Sequence, residues 1–176
     1  MAIQHAKRPQ SHEFNAFYAG YVGCVPEGDV IETLKTQQRA LLDWIALHAP
    51  GIENYAYADG KWTTKEVIGH IIDTEWIFTY RALRFARGDS SPLPGMDQTV
   101  FMEGANFADR SLTELATEFD GLRTASAQLL ASFSEDILQR TGTASGFPFS
   151  VRAMSWIIAG HCQHHFNILK ERYQTK

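Results

Sequence analysis

The stretch "TTKEVIGHIIDTEWIFTYRALRFARG", residues 63–88, reads as one long helix. Thr63 followed three positions later by Glu66 is a capping-box pattern, in which each side chain satisfies an orphan backbone N–H of the other residue. Apart from Gly69, nothing interrupts the helical pattern before Gly88. At 1.5 Å per residue such a helix is roughly 35 to 40 Å long. That length suits a bundle better than a mixed sheet, so the expectation is an all-α protein.

The flanking sequence agrees. Upstream, Asp29 is a helix cap, and Ile31, Leu34, Leu41 and Ile45 recur at three- and four-residue steps, predicting a first helix over 30–48 that Pro50 and Gly51 end. Residues 1–28 form an N-terminal extension with a short helix near 12–20 and a turn at Pro26 and Gly28. Downstream, "GDSSPLPGMDQTVFMEGANFADR" (88–110) exceeds the usual helix connection and reads as a crossover or a functional loop. Ser111 and Glu114 repeat the capping box, and Leu115, Phe119, Leu122, Leu129 and Phe133 mark the core stripe of a third helix. "TGTASGFPFS" (141–150) breaks the chain. Helical period then returns from Val151 to about Tyr173 through Met154, Ile158, His161, His165 and Ile168, the fourth helix. No sustained strand alternation is expected anywhere, and there is no internal repeat or low-complexity tract. The reading is a single domain over 1–176, a four-helix bundle at 29–173 behind its extension.

Composition narrows the function. A chain of 176 residues, 44% hydrophobic and 20% charged, has the balance of a soluble globular domain and buries a core without disulfides. A net charge of -4 offers no general attraction to nucleic acid or to anionic lipid. Two cysteines, Cys24 and Cys162, suit a reducing compartment. The N-terminus lacks the apolar core of a signal peptide and no run of 18 apolar residues occurs, so a cytoplasmic protein without membrane or nucleic-acid partners is expected.

The chemistry concentrates in "AGHCQHHFNILKERY" (159–173). His161 and His165 are four apart, on one helical face, and that face continues the apolar stripe into the bundle. Two neutral imidazoles there would each need a donor and an acceptor partner, whereas one metal ion satisfies both lone pairs. The best third ligand is His70 of the second helix; spacing alone leaves a structural, hydrogen-bonded arrangement open. "HCQHH" is no zinc-protease motif, because Cys162 stands where H-E-x-x-H keeps its general base. Neither His70 nor His161 has a Glu three residues before it, so a di-iron carboxylate bundle is not indicated.

"KWTTKEVIGHIIDTE" (61–75), "YRALRFARGDSSPLPGMDQ" (80–98) and "AGHCQHHFNILKERY" together resemble the DinB-like superfamily of metal-dependent four-helix-bundle proteins, from about Val25 to Tyr173. The resemblance implies an up-down-down-up bundle with a long crossover between the second and third helices. It implies one metal-ligating histidine on the second helix and an H-x-x-x-H pair on the fourth, which fall on His70, His161 and His165. The ion it implies is divalent, zinc or nickel first, with iron or manganese as further candidates, and many relatives form homodimers. Relatives with assigned activity are thiol-dependent transferases and isomerases that use low-molecular-weight thiols such as bacillithiol or mycothiol, while others carry a metal-dependent hydrolase label. The expectation is a thiol S-transferase or hydrolase acting on a small electrophilic substrate. The alternative is a non-catalytic metal-dependent binding or sensor module.

Other residues carry two readings each. Asp97 and Gln98 either lean over the metal to handle a proton and orient substrate, or form a solvated turn. Asp73 and Glu66 could partner a ligand N–H, with capping preferred for Glu66. Arg81, Arg84 and Arg87 read as a solvated cationic face, or as attraction for carboxylates. His164 is a flanking residue, His5, His12 and His48 have no comparable setting, and Cys162 is a small apolar residue facing a neighbouring helix. Trp44, Trp62, Trp76 and Trp156 are core or dimer aromatics.

Overall fold

The computed structural model describes residues 5, 7–49 and 51–173. The short helix expected near 12–20 resolves into two 3-10 turns, Ser11–Glu13 and Ala16–Tyr18, and a brief helix α1, Ala19–Gly23. The first long helix, α2, runs Val30–His48, with the Asp29 carboxylate accepting from the Ile31 amide at 2.8 Å. Pro50, expected to help end it, lies outside the described residues. Helix α3 spans Thr64–Ala86 and carries the capping box at Thr63 and Glu66. Residues 87–111 hold a short helix, α4, at Gln98–Gly104 and a 3-10 turn at Phe107–Asp109. Helix α5 covers Leu112–Ala131 behind the Ser111/Glu114 capping box. Phe133, expected on that helix, lies just past its end but is fully buried. A single turn α6, Glu135–Leu138, precedes the last helix α7, Val151–Arg172, which Ser150 caps by accepting from the Ala153 amide at 2.9 Å.

The expectation of no strand is overturned at "TGTASGFPFS". Thr141–Ala144 (β1) and Phe147–Ser150 (β2) pair antiparallel, Thr141 opposite Ser150 and Ala144 opposite Phe147. Ser145 and Gly146 make the two-residue turn with φ of 53° and 80°, the left-handed pair that matches strand twist. Four-residue strands containing Gly142 and Pro148 carry too little alternation to be read in advance. The hairpin also holds the long connection: the Leu93 amide donates to Thr143 O at 2.9 Å, and the Ser145 amide to Leu93 O at 3.0 Å.

Two apolar clusters fix the helix directions. One joins Val30, Ile31 and Leu34 of α2 to Phe78, Ala82 and Phe85 of α3, Leu130 of α5 and Val151 to Ala159 of α7. The other joins Leu41, Trp44 and Ile45 to Val67, Ile68 and Ile71, Leu112 and Leu115, and Phe166 and Leu169. The beginnings of α2 and α7 therefore meet the ends of α3 and α5, and the bundle runs up-down-down-up. Because α3 and α5 are parallel neighbours, the chain must cross back the length of the bundle between them, which is the work of residues 87–111.

The N-terminal extension packs onto this frame. The Arg8 guanidinium donates to Val22 O at 2.6 Å and Val25 O at 2.7 Å and lies over the Trp156 ring. Helix α1 lies against α7 at Gly160, where an added Cβ would fall 2.0 Å from the Tyr21 carbonyl oxygen. No helix among the described residues is long and apolar enough to cross a membrane.

One polar network threads all four long helices. Arg123 of α5, fully buried, donates to Glu75 of α3 at 2.6 to 3.0 Å, and to Leu34 O at 3.1 Å and Gln37 at 3.3 Å on α2. Gln37 continues to Ala159 O at 3.0 Å and Gln163 at 3.1 Å on α7. Burial works against the charge on Arg123, and the Glu75 carboxylate more than offsets it. Arg123→Met strands that carboxylate in the core and should lower stability by about 3–5 kcal/mol in urea denaturation, whereas Arg123→Met with Glu75→Leu should recover most of the loss.

Candidate metal centre

His70 lies in the second turn of α3; His161 and His165 stand one turn apart on α7, which packs antiparallel to it. The three rings come together: centroids are 4.9 Å apart for His70 and His161, 4.8 Å for His70 and His165, and 4.5 Å for His161 and His165. One nitrogen from each lies within 4.8 Å of the others, and no carboxylate or thiol joins the group among the described residues. His70 and His161 are buried and His165 is half-buried.

Burial governs the charge of these rings. It lowers the His70 pKa from 6.5 to about 4. Burial, then the neighbouring His70 and His164, lowers His165 to about 3. His161 is pushed well below its ordinary value, first by burial and then by the other histidines. All three are therefore neutral at pH 7, each with a lone pair to offer. The Nε2 atoms of His70 and His161 stand 3.1 Å apart, and His70 Nδ1 is buried with no hydrogen-bond partner. Three neutral imidazole nitrogens facing one point, one ring otherwise poorly satisfied, form a donor set that suits a divalent ion of intermediate softness such as zinc, nickel or iron.

Aromatic rings wall the histidines. Trp62 lies against His70 with centroids 4.8 Å apart and against His165 at 6.5 Å, while Tyr21 meets His161 edge-on at 5.4 Å. A cavity of about 190 Å³ opens beside His70 and His161, lined also by Tyr18, Thr74, Phe78, Arg81 and Ser145. A second, of about 340 Å³, opens beside His165 and Trp62. Gln98 lines both.

The other sequence candidates distribute as follows. Asp97 caps α4, its carboxylate accepting from the Thr99 amide at 2.9 Å and the Val100 amide at 3.2 Å, and so sets the start of the helix on which Gln98 reaches the cavities. Glu66 accepts from the Thr63 amide at 2.6 Å as a cap. Asp73 lies away from the triad, by Phe101 and Arg110, its pKa raised by burial and by Glu118. The solvated cationic face is corrected: Arg84 pairs with Asp89 and Arg87 is exposed, but Arg81 is only 3% exposed, because α3 turns it under the loop and the hairpin tip. His164 flanks the site, its ring 5.2 Å from Tyr21. Cys162 is buried, its thiol pKa raised by burial, in the apolar cluster with Leu41, Ile68 and Phe166. Trp44 and Trp156 are core residues, and Trp76 is half exposed. Tyr21, Trp62 and Thr74 had not been singled out as parts of a site. The aromatic run "FNAFYAGY" (14–21) was the available signal for the first of them.

The depressed histidine pKa values set a pH dependence. Below about 6.5 the unfolded chain takes up protons that the folded site refuses, so the unfolded state binds more of them. The stability of the metal-free protein is then intact above pH 6.5 and falls as pH is lowered toward 4 and 3, the folded values of His70 and His165. Urea midpoints measured on chelator-treated protein from pH 7.5 down to 4.5 should decline, and His161→Gln should flatten the slope.

No curated protein matches the chain by sequence. Among solved structures, YfiT from Bacillus subtilis, described as a probable metal-dependent hydrolase with an unusual four-helix bundle topology, is similar with a TM-score of 0.69. The match covers 94% of this chain and 90% of that one at 14% identity, a likeness of fold. The family model of the DinB superfamily matches residues 30–169, all four long helices, and the chain belongs to that superfamily.

Proposed function

We propose that this protein is a divalent-metal-dependent enzyme that directs an activated nucleophile, water or a low-molecular-weight thiol, at an electrophilic carbon. The observation that carries the reading is the convergence of three neutral imidazoles from two helices, two of them buried and one half-buried, with no fourth protein ligand within reach among the described residues and a cavity alongside. Structural zinc sites are closed by four protein ligands, whereas a site with three leaves a position for a reactant. His70, His161 and His165 would hold the ion, zinc or nickel first, with iron or manganese next. When bound, it supplies Lewis acidity that lowers the pKa of a coordinated thiol or water.

The chain's own residues do the rest. Trp62 packs against His70 and Tyr21 against His161, which restrains those two rings. The Gln98 amide, presented from the start of α4, offers a donor and an acceptor to a reactant in either cavity. Among the described residues no carboxylate lines either cavity, so none competes with an incoming anionic nucleophile. Water as nucleophile is the reading favoured by the description of YfiT as a metal-dependent hydrolase; the family resemblance of the histidine motifs favours a thiol.

Elemental analysis of the purified protein should find one divalent ion per chain, and His70→Ala, His161→Ala and His165→Ala should each weaken zinc binding by at least about 100-fold. Zinc- or nickel-loaded protein should either hydrolyse members of an ester and amide panel, or conjugate bacillithiol, mycothiol or glutathione to a chlorinated nitrobenzene. Ligand binding without either reaction would replace the enzyme with a metal-dependent binding module.

A further inference from the structure

Among the described residues, Arg81 is a buried guanidinium without an acid partner. Arg123 has Glu75 and Arg152 has Glu135, so the other two buried arginines are each paired with a carboxylate. Even the more exposed Arg8, Arg84 and Arg110 have carboxylate partners. Arg81 is 3% exposed, and among the described residues no carboxylate lies within ion-pair distance of it. Its Nη2 donates to Pro94 O at 2.8 Å and to Ser145 Oγ at 3.4 Å, the Tyr18 phenol lies beside it, and the Phe78 ring lies 5.3 Å away. These partners are neutral. They hold the fork in place without balancing its charge, and an unbalanced buried charge is costly unless a partner of opposite sign arrives.

The partner's place is the cavity of about 190 Å³ that Arg81 lines together with His70 and His161. On α3, His70, Thr74, Phe78 and Arg81 follow one another at helical spacing along the same face. Thr74 is itself 5% exposed, and its hydroxyl is buried with no hydrogen-bond partner. One cavity thus holds a charge with no counterion and a hydroxyl with no partner, walled by Phe17, Tyr18, Tyr21 and Phe78 and bordered by the histidines. A single cation with no lysine or second arginine in the lining suits a monoanion, and the planar fork of a guanidinium matches a carboxylate.

We propose that this cavity binds a carboxylate-bearing substrate with an aromatic or apolar body, its carboxylate on Arg81, its body against the aromatic wall, and its reacting end toward the histidines. The proposal deepens the enzymatic reading given above and rests on it for the direction of the reacting end; the anion site itself does not depend on turnover.

The test is calorimetric titration of the full chain, as purified and again after chelation, with 3-phenylpropionate and with its uncharged amide. The acid should bind at least about 10-fold more tightly than the amide in both preparations, and Arg81→Gln should reduce that preference to less than about 2-fold while zinc content is unchanged. Equal binding of acid and amide by the wild type overturns the proposal. So does a preference that survives Arg81→Gln; if it survives only before chelation, the carboxylate sits on the metal. Should Arg81→Gln fail to fold, the Nε–H resonance of Arg81 in the wild type carries the test: it should shift with the acid and not with the amide, and a silent resonance overturns the assignment. Loss of metal content or of turnover, with the acid preference intact in chelated protein, would count against the enzymatic reading and leave the anion site standing.

Discussion

A single guanidinium at the centre of the bundle determines how the four long helices sit against one another. Arg123 reaches α3 through Glu75 and α2 through Leu34 O and Gln37, and Gln37 passes the connection to Ala159 O and Gln163 on α7. Apolar packing alone tolerates small slides of one helix along another, because burial is non-directional. A hydrogen-bonded charge in a dry core does not tolerate them, since each broken bond leaves a buried polar group unsatisfied. The network touches α7 two residues to either side of His161 and α3 five residues beyond His70. It therefore sets the register on which the three imidazoles meet.

That register has a cost that the site itself expresses. Three rings pressed together and largely screened from water refuse protons and stay neutral, leaving a cluster of lone pairs beside the cavities. The enclosure comes from parts of the chain remote in sequence. Tyr21 arrives from the N-terminal extension because Gly160 lets α1 approach the α7 backbone, and Trp62 arrives from the turn before α3. The residues numbered before the bundle are thus part of its site.

The long connection has two roles. Parallel packing of α3 and α5 demands it, since the chain must return along the bundle before starting α5. Fastened through Leu93 to the hairpin, it lays Met96 and Gln98 over the cavity beside the histidines, and its Pro94 carbonyl accepts from Arg81. Ser145, at the hairpin tip, meets Arg81 there. A topological necessity has become the roof of the site, in keeping with the tendency of functional groups to sit on loops held by a rigid frame.

Much of this was legible in advance because it is local. Capping boxes at Thr63 and Ser111 and the cap at Asp29 act within three residues, and apolar stripes follow the helical period, so the four long helices could be placed nearly to their ends. The spacing of His161 and His165 guarantees that they share a face on any helix. The hairpin was not legible: its strands are four residues long and owe their pairing to a left-handed turn and to Leu93, which bridges Ala144 from 51 residues away. Nor could the letters distinguish Arg81 from Arg84 and Arg87, since three arginines at helical spacing look alike until something packs over one of them. By itself, then, the sequence determined the helices, their caps and the histidine pair, all set by interactions within a turn or two of the backbone. Only the tertiary structure decided which ring, hydroxyl and guanidinium share a cavity, because that depends on distant segments excluding water from the same small volume.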